Sequence, residues 1–301
     1  MNNYYSITAP AKLNLNLLVL GKANNGLHLL KSDVCFLELA DKIYFKFSKN
    51  DTFLQTNTNR SLLINSKINL ILESLYTFRN LTGWNKKFKI YLDKNIPIGA
   101  GLGGGSADAA ATLILLRKLF NDERKSKKIS ISFLYEIAKK LGSDVPACLE
   151  SKSLKISGNG NNIKRKVLSN NYYYLLVNPN IKLSTKKVFS HFNSSSNKQT
   201  VDKKLIFENM SVYNSLLPSA ISLAPQISDI LSILKNIPDI VTYGMSGSGS
   251  TCFGIFKDIK TFLPISDYFK NKYFIWYGKK KDYSVNRVRF SKMLENKFQI
   301  M

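Results

Sequence analysis

The chain has 301 residues, 44 % of them hydrophobic, and carries 44 Lys and Arg against 20 Asp and Glu, a formal charge of +24 at pH 7. That apolar content suffices for one large core or two moderate ones. Cys35, Cys148 and Cys252 are scattered and odd in number, residues 1–9 lack the basic and apolar stretches of a secretion signal, and no apolar run approaches the roughly 18 residues of a membrane span. A reducing, cytoplasmic setting is therefore expected, with no secretion, no membrane insertion, no disulfide framework and no zinc spacing. The charge attracts polyanions and makes a nucleic-acid-binding module the principal non-enzymatic alternative. Yet the lysines are spread through residues 46–49, 124–128, 164–166 and 279–281 without a recognisable binding motif. A solvated basic surface that draws in anionic small molecules is the preferred reading over a specific nucleic-acid partner.

In chain order, strand patterns occupy residues 5–8, 15–20 and 43–47, followed by a helix over 67–79 with Ile68, Ile71, Leu72, Leu75 and Phe78 on one face. Phe88, Ile90 and Leu92 then alternate with Lys87, Lys89 and Tyr91 as a half-buried strand. Gly99 to Ala110 reads GAGLGGGSADAA and leads into a helix, with Ser106 as expected N-cap, Asp108 in the first turn, and Ala109, Leu113, Leu116 and Phe120 at helical spacing. A helix over 133–141 follows. Residues 121–130, 158–162 and 193–198 are polar loops. A strand over 172–177, helices over 201–210 and 226–235, and a last glycine-rich turn complete an α+β pattern with no internal repeat.

Five glycines running into a helix start suit a polyphosphate, because bare backbone can approach closely and the first helical amides have no internal partner. A P-loop would need Lys directly after Gly105, where Ser106 and Ala107 stand. Gly99, Gly101 and Gly104 satisfy the dinucleotide fingerprint G-x-G-x-x-G, with Asp122 near the expected separation of roughly 20 residues, but Asp122 follows a helix rather than a strand. A functionless glycine turn would impose a large backbone entropy cost where one or two glycines suffice. A phosphoryl-transfer enzyme of another type remains.

Two further segments, APAKLNLN at 9–16 and MSGSGSTCF at 245–253, complete with the central loop a set that resembles the three signature motifs of the GHMP kinases. Within that family, Pro10-Ala11-Lys12-Leu13-Asn14-Leu15, Gly26-Leu27-His28 and Gly142-Ser143-Asp144-Val145-Pro146 look like the branch that phosphorylates a cytidine diphosphate sugar alcohol for isoprenoid synthesis by the non-mevalonate route. The homoserine and mevalonate branches share the central loop and stay as alternatives. The resemblance implies a two-lobed GHMP kinase fold: a ribosomal-S5-like N-terminal ATP-binding domain over 1–160 and an α+β C-terminal substrate-binding domain over 161–301. The basic tail from Lys279 onward either packs back on the first domain or lies free.

The same resemblance implies ATP-dependent transfer to the 2-hydroxyl of the acceptor. Lys12 would stabilise developing charge and Asp144 would accept or orient the hydroxyl proton, although Asp144 read alone would be the cap of a short helix. Pro97, Ile98, Gly99, Ala100, Gly101, Leu102, Gly103, Gly104, Gly105, Ser106 and Ala107 would hold ATP; Ala107 replaces a usual serine and leaves Ser106 as the hydroxyl. Asn14 would hold the erythritol end and His28, Thr185 and Phe189 the cytidine, with Leu27 where the family has a stacking tyrosine. Gly247 and Ser248 would face a substrate phosphate. Magnesium is expected with the nucleotide, its protein ligands unassigned.

Overall fold

The computed structural model describes residues 2–23, 26, 28–56, 62–63, 69–160, 162–192 and 205–293. Asn24, Asn25, Leu27, Lys67, Ile68, the loop 193–198 and residues 201–204 of the expected 201–210 helix lie outside the described residues. The first lobe is built on a mixed sheet containing β1 (Asn2–Asn14), β2 (Leu18–Lys22), β3 (His28–Ser48), β4 (Thr52–Thr56) and β5 (Leu62–Leu63). Helix α1 (Leu70–Thr82) leads to β6 (Lys87–Asp93), then come α2 (Gly104–Glu123), α3 (Ile131–Leu141), α4 (Val145–Glu150) and the hairpin β7 (Leu154–Gly158) and β8 (Asn162–Arg165). The second lobe begins with β9 (Tyr173–Asn178), α5 (Thr185–Ser190) and a small hairpin of β10 (Ile206–Phe207) and β11 (Met210–Ser211). It continues through α6 (Leu217–Leu223), α7 (Gln226–Lys235), β12 (Thr242–Met245), β13 (Cys252–Phe256), α8 (Leu263–Lys270) and β14 (Phe274–Gly278), before β15 (Arg289–Met293).

The large sheet has nine strands in the order β15-β1-β3-β6-β4-β5, with β2 and β7 also pairing with β3, and β8 with β7. Helices α1, α2, α3 and α4 cover one face around a core of Ile7, Phe36, Phe45, Phe78, Phe88 and Leu116. Helix α2 is buried nearly all round, and its run Ala107, Ala109, Ala110 and Ala111 lets neighbouring elements approach its backbone. The second lobe's sheet, β12-β13-β9-β14, packs its own helices on Leu175, Val177, Ile230, Phe256 and Phe269. Between the lobes a third cluster joins Ala11, Leu13, Cys35 and Leu37 to Tyr174, Leu176 and Phe253.

An irregularity in β1 decides what reaches the site. Register against β3 slips between Pro10 and Lys12, where proline cannot donate to the ladder. Before the slip, Ile7 and Ala9 face the helices; after it, Ala11 and Leu13 face the second lobe. Lys12 and Asn14 thereby take the helix side, a re-aiming that such irregularities produce.

The final segment is stitched to the first lobe. Glu38 N–H donates to the Lys279 carbonyl (3.0 Å), Lys281 N–H to Phe36 (2.8 Å) and Tyr283 N–H to Ser151 (2.9 Å). Arg287 Nε donates to the Thr8 carbonyl at 2.8 Å, and β15 adds an antiparallel edge to β1, pairing Ser6 with Arg289.

Four local expectations need correction. The strand expected over 15–20 is interrupted, since β1 ends at Asn14 and β2 starts at Leu18; Leu17 N–H turns to the Tyr213 carbonyl across the lobes (2.7 Å). Helix α1 starts at Leu70, capped by Asn69, whose side chain accepts from Ile71 N–H at 2.9 Å. Ser106 is not an N-cap: α2 starts two residues earlier behind Gly103, and Asp108 is buried in an ion pair rather than exposed to the helix dipole. Residues 205–211 form a hairpin, not a helix, with Glu208 and Asn209 at positive φ in its turn.

Candidate active site

A cleft of about 780 Å³ lies along the glycine loop between β1, α1, α4 and the second lobe. Gly101 and Gly103 are two positions of the loop where glycine is required. A Cβ on Gly101, at φ +75°, would sit 2.3 Å from the Ser246 carbonyl oxygen, and one on Gly103, at φ +64°, would sit 3.2 Å from Lys12 Cβ. Gly103 caps α2 without a side-chain hydrogen bond. The first backbone donor of the helix ladder is Ala107 N–H, on the Gly103 carbonyl at 2.8 Å. The amides of Gly104, Gly105 and Ser106 precede it, as at helix ends that bind anions.

Lys12 and Asp144, 132 positions apart in sequence, meet here. Lys12 Nζ lies 2.6 Å from Asp144 Oδ2, the lysine side chain 4 % exposed and the aspartate 43 %. Lys12 N–H donates to the Leu102 carbonyl at 2.9 Å, which fixes β1 to the loop. Asp144 stands at the N-cap position of α4, but its side chain makes no capping bond. Its carboxylate is directed to Lys12 instead of serving the helix.

Of the residues expected to touch ligands, Pro97 through Ser106, Asn14, Thr185, Phe189, Gly247 and Ser248 all line the cleft with Lys12 and Asp144. Asn14 Nδ2 donates to Ser32 Oγ at 2.8 Å, while its Oδ1 is buried without a partner among the described residues. The Thr185 and Ser248 hydroxyls lie 3.0 Å apart. His28 sits behind Phe189, ring centroids 4.5 Å apart, with Phe192 edge-on to His28 at 6.3 Å. Partial burial, with the Lys22 charge adding to it, holds the His28 imidazole below its ordinary value, which favours the neutral ring as a hydrogen-bond partner. Ala107 is off the cleft: its side chain is in the core and its amide is spent on Gly103.

Two groups of residues that carry the site escape a sequence reading. The first clamps the lobes: Ser246 Oγ donates to the Gly101 carbonyl (2.9 Å) and accepts from Asn14 N–H (3.1 Å), while within the second lobe Asn214 Nδ2 donates to the Met245 and Gly247 carbonyls on either side of Ser246, both at 2.8 Å. Ser246→Ala is expected to cost about 1–3 kcal/mol in urea unfolding, because the buried Asn14 N–H loses its acceptor; an unchanged midpoint would show that the clamp carries no stability. The second lies beneath the loop: Lys94 Nζ contacts Asp41 Oδ2 at 2.6 Å and Asp108 Oδ2 at 2.7 Å. Asp41 Oδ1 accepts from the amides of Asn95 (2.6 Å) and Ile96 (2.8 Å), fixing the path from β6 into the loop.

A two-lobed α+β fold with a glycine cradle at a helix N-terminus and an ammonium–carboxylate pair beside it defines a phosphotransferase of the GHMP type, and the chain belongs to the GHMP kinase family. Residues 69–152 match the family model described as GHMP kinases N terminal domain and residues 202–271 the one described as GHMP kinases C terminal. A curated relative from Anaplasma marginale (strain Florida), named 4-diphosphocytidyl-2-C-methyl-D-erythritol kinase, is 35 % identical over 288 residues, covering 91 % of this chain and 95 % of the relative. The crystal structure of a 4-(cytidine 5'-diphospho)-2C-methyl-D-erythritol kinase superposes with a TM-score of 0.74 at 25 % identity, over 91 % of this chain and 98 % of that one. A homoserine kinase from Cytophaga hutchinsonii, at 14 % identity and TM-score 0.62 over 97 % and 98 % of the chains, shares the fold.

Proposed function

We propose that this chain transfers the γ-phosphoryl group of ATP to the 2-hydroxyl of 4-diphosphocytidyl-2-C-methyl-D-erythritol, a step of the non-mevalonate route to isoprenoid precursors. The observation that carries the reading is the Lys12–Asp144 pair at 2.6 Å beside Gly103. The names and coverage of the relatives favour this acceptor over homoserine or mevalonate. The first lobe, through the glycine loop and α2, would hold the nucleotide, and the second would hold most of the cytidylyl acceptor.

In the proposed reaction the acceptor oxygen bonds to the γ-phosphorus as the bond to the bridging β–γ oxygen breaks. Such transfers have loose transition states, so positioning and charge stabilisation dominate. The amides of Gly104, Gly105 and Ser106 face the transferring oxygens with the positive end of the α2 dipole. Lys12 balances charge on the acceptor oxygen, and the Asp144 carboxylate takes the hydroxyl proton as the new bond forms. Asn14, whose Oδ1 has no partner among the described residues, would orient the acceptor, and the Thr185–Ser248 pair with Gly247 would meet its diphosphate. His28 and Phe189 would receive the cytosine. Magnesium, arriving with the nucleotide, would supply charge neutralisation of the triphosphate. Among the described residues no three His, Cys, Asp or Glu side chains cluster to hold a metal.

Among the described residues no helix is long and apolar enough to cross a membrane, and Cys35, Cys148 and Cys252 are free and buried, which supports a cytoplasmic enzyme. The test is an acceptor panel: purified protein with ATP and, in parallel, the cytidylyl alcohol, homoserine and mevalonate. ADP formation is expected with the first alone. Turnover of either of the others in its place would overturn the substrate assignment.

A further inference from the structure

We propose that Gln55 reads the hydrogen-bonding edge of the nucleotide's base and selects adenine. The inference rests on the nucleotide-binding part of the function proposed above. Three consecutive glycines index the direction of the cleft: a Cβ on Gly103 would meet Lys12 (3.2 Å), on Gly104 Lys94 Nζ (3.2 Å), and on Gly105 Leu70 Cδ1 (3.4 Å). The transfer chemistry lies at the Lys12 end, so the base lies toward Leu70. There the cleft is walled by Leu70, Ile71 and Leu92, apolar surfaces suited to the two faces of an aromatic base.

Gln55 is a polar group at that end without an assignment. It sits on β4, paired in parallel with Leu92 of β6, is 8 % exposed, lines the cleft, and has no side-chain hydrogen-bond partner among the described residues. Of its neighbours, Thr56 Oγ1 accepts from Lys94 N–H at 3.2 Å, and Asn69 Oδ1 caps α1. A carboxamide that lines a cleft and bonds no described residue is left for a ligand or water to meet. A carboxamide presents one acceptor beside one donor, the complement of adenine's exocyclic amine and adjacent ring nitrogen. The corresponding guanine edge presents two acceptors, so one would face the carboxamide oxygen.

The experiment compares ATP with purine riboside 5′-triphosphate, which lacks the exocyclic amine, on wild-type protein and Gln55→Leu, by kcat/KM with the cytidylyl alcohol and by calorimetric binding of each nucleotide without acceptor. Wild-type protein is expected to prefer ATP by about tenfold in both readouts, the scale of one net hydrogen bond. Gln55→Leu should bring the preference to near unity while keeping kcat at saturating nucleotide and the melting temperature. An equal preference in wild type and variant, or none in wild type, overturns the assignment. Selective nucleotide binding without phosphorylation of the acceptor would instead remove the substrate reading and leave that of Gln55 standing.

Discussion

Lys12→Ala and Asp144→Asn each lower kcat by about a hundredfold or more, the scale of a positioned electrostatic or acid-base group, while the ATP dissociation constant moves by no more than about threefold, since neither group touches the base or ribose end. The two variants differ in stability. Lys12 is 4 % exposed and Asp144 43 %. Deleting the ammonium leaves a carboxylate that water already reaches, whereas Asp144→Asn leaves a nearly buried ammonium without its counter-charge, which is the costlier loss. Asp144→Asn therefore melts at a lower temperature than Lys12→Ala. Steady-state kinetics with calorimetric nucleotide binding check the first statement and thermal scans the second; near-normal turnover in both variants would mean that the pair is not the reacting machinery.

Lys94→Met destabilises the fold by about 3–5 kcal/mol, the cost of stripping one partner from a buried ion pair. Asp41 and Asp108 are 0 % and 4 % exposed, and Lys94 is the cation both contact. Without it Asp41 loses its compensation while still holding the Asn95 and Ile96 amides, so the entry to the glycine loop loosens with the core. Urea unfolding measures the loss, and a cost below about 1 kcal/mol would show that the triad is incidental.

Asp108 also sets a pH dependence. Burial pushes its carboxyl well above its ordinary value; the Lys94 charge opposes that shift and Asp41 adds to it. A carboxyl raised in the folded state keeps a proton that the unfolded chain has already released. Its contribution is fully present below the unfolded value of about 3.9 and is lost as pH rises through the elevated folded one. Asp108→Asn, which cannot titrate, should flatten the stability profile across that window, and chemical denaturation at stepped pH reads the slope.

The strand, glycine loop and central helix were legible because a period of two, a run of glycines and a period of 3.6 follow one another without interruption. The start of α2 was not. Ser106 has the chemistry of an N-cap, but Gly103 takes the left-handed conformation and ends the loop sooner. Asp108 looked like a dipole-stabilising charge because its partner Lys94 lies across the fold, and nothing in local spacing pairs them. For the same reason Lys12 and Asp144 were singled out by the family motifs and not by their positions. The segment over 205–211 carries apolar residues compatible with either period, and the turn at Glu208 and Asn209 decides for a hairpin. The lobe clamp was half visible: the MSGSGS run marked a turn, but the Ser246 hydroxyl reaches Gly101 only through the packing of two lobes.

The most direct measurement is phosphorus NMR of the product formed from ATP and 4-diphosphocytidyl-2-C-methyl-D-erythritol by the purified protein, with Lys12→Ala and Asp144→Asn run alongside. ADP should appear in equal amount with one new phosphomonoester signal, assigned to the 2-position by carbon–phosphorus coupling, and both variants should form it at least about a hundredfold more slowly. ADP released with inorganic phosphate and no ester, or an ester formed at wild-type rate by both variants, would contradict a glycine cradle that delivers phosphate to an alcohol between Lys12 and Asp144.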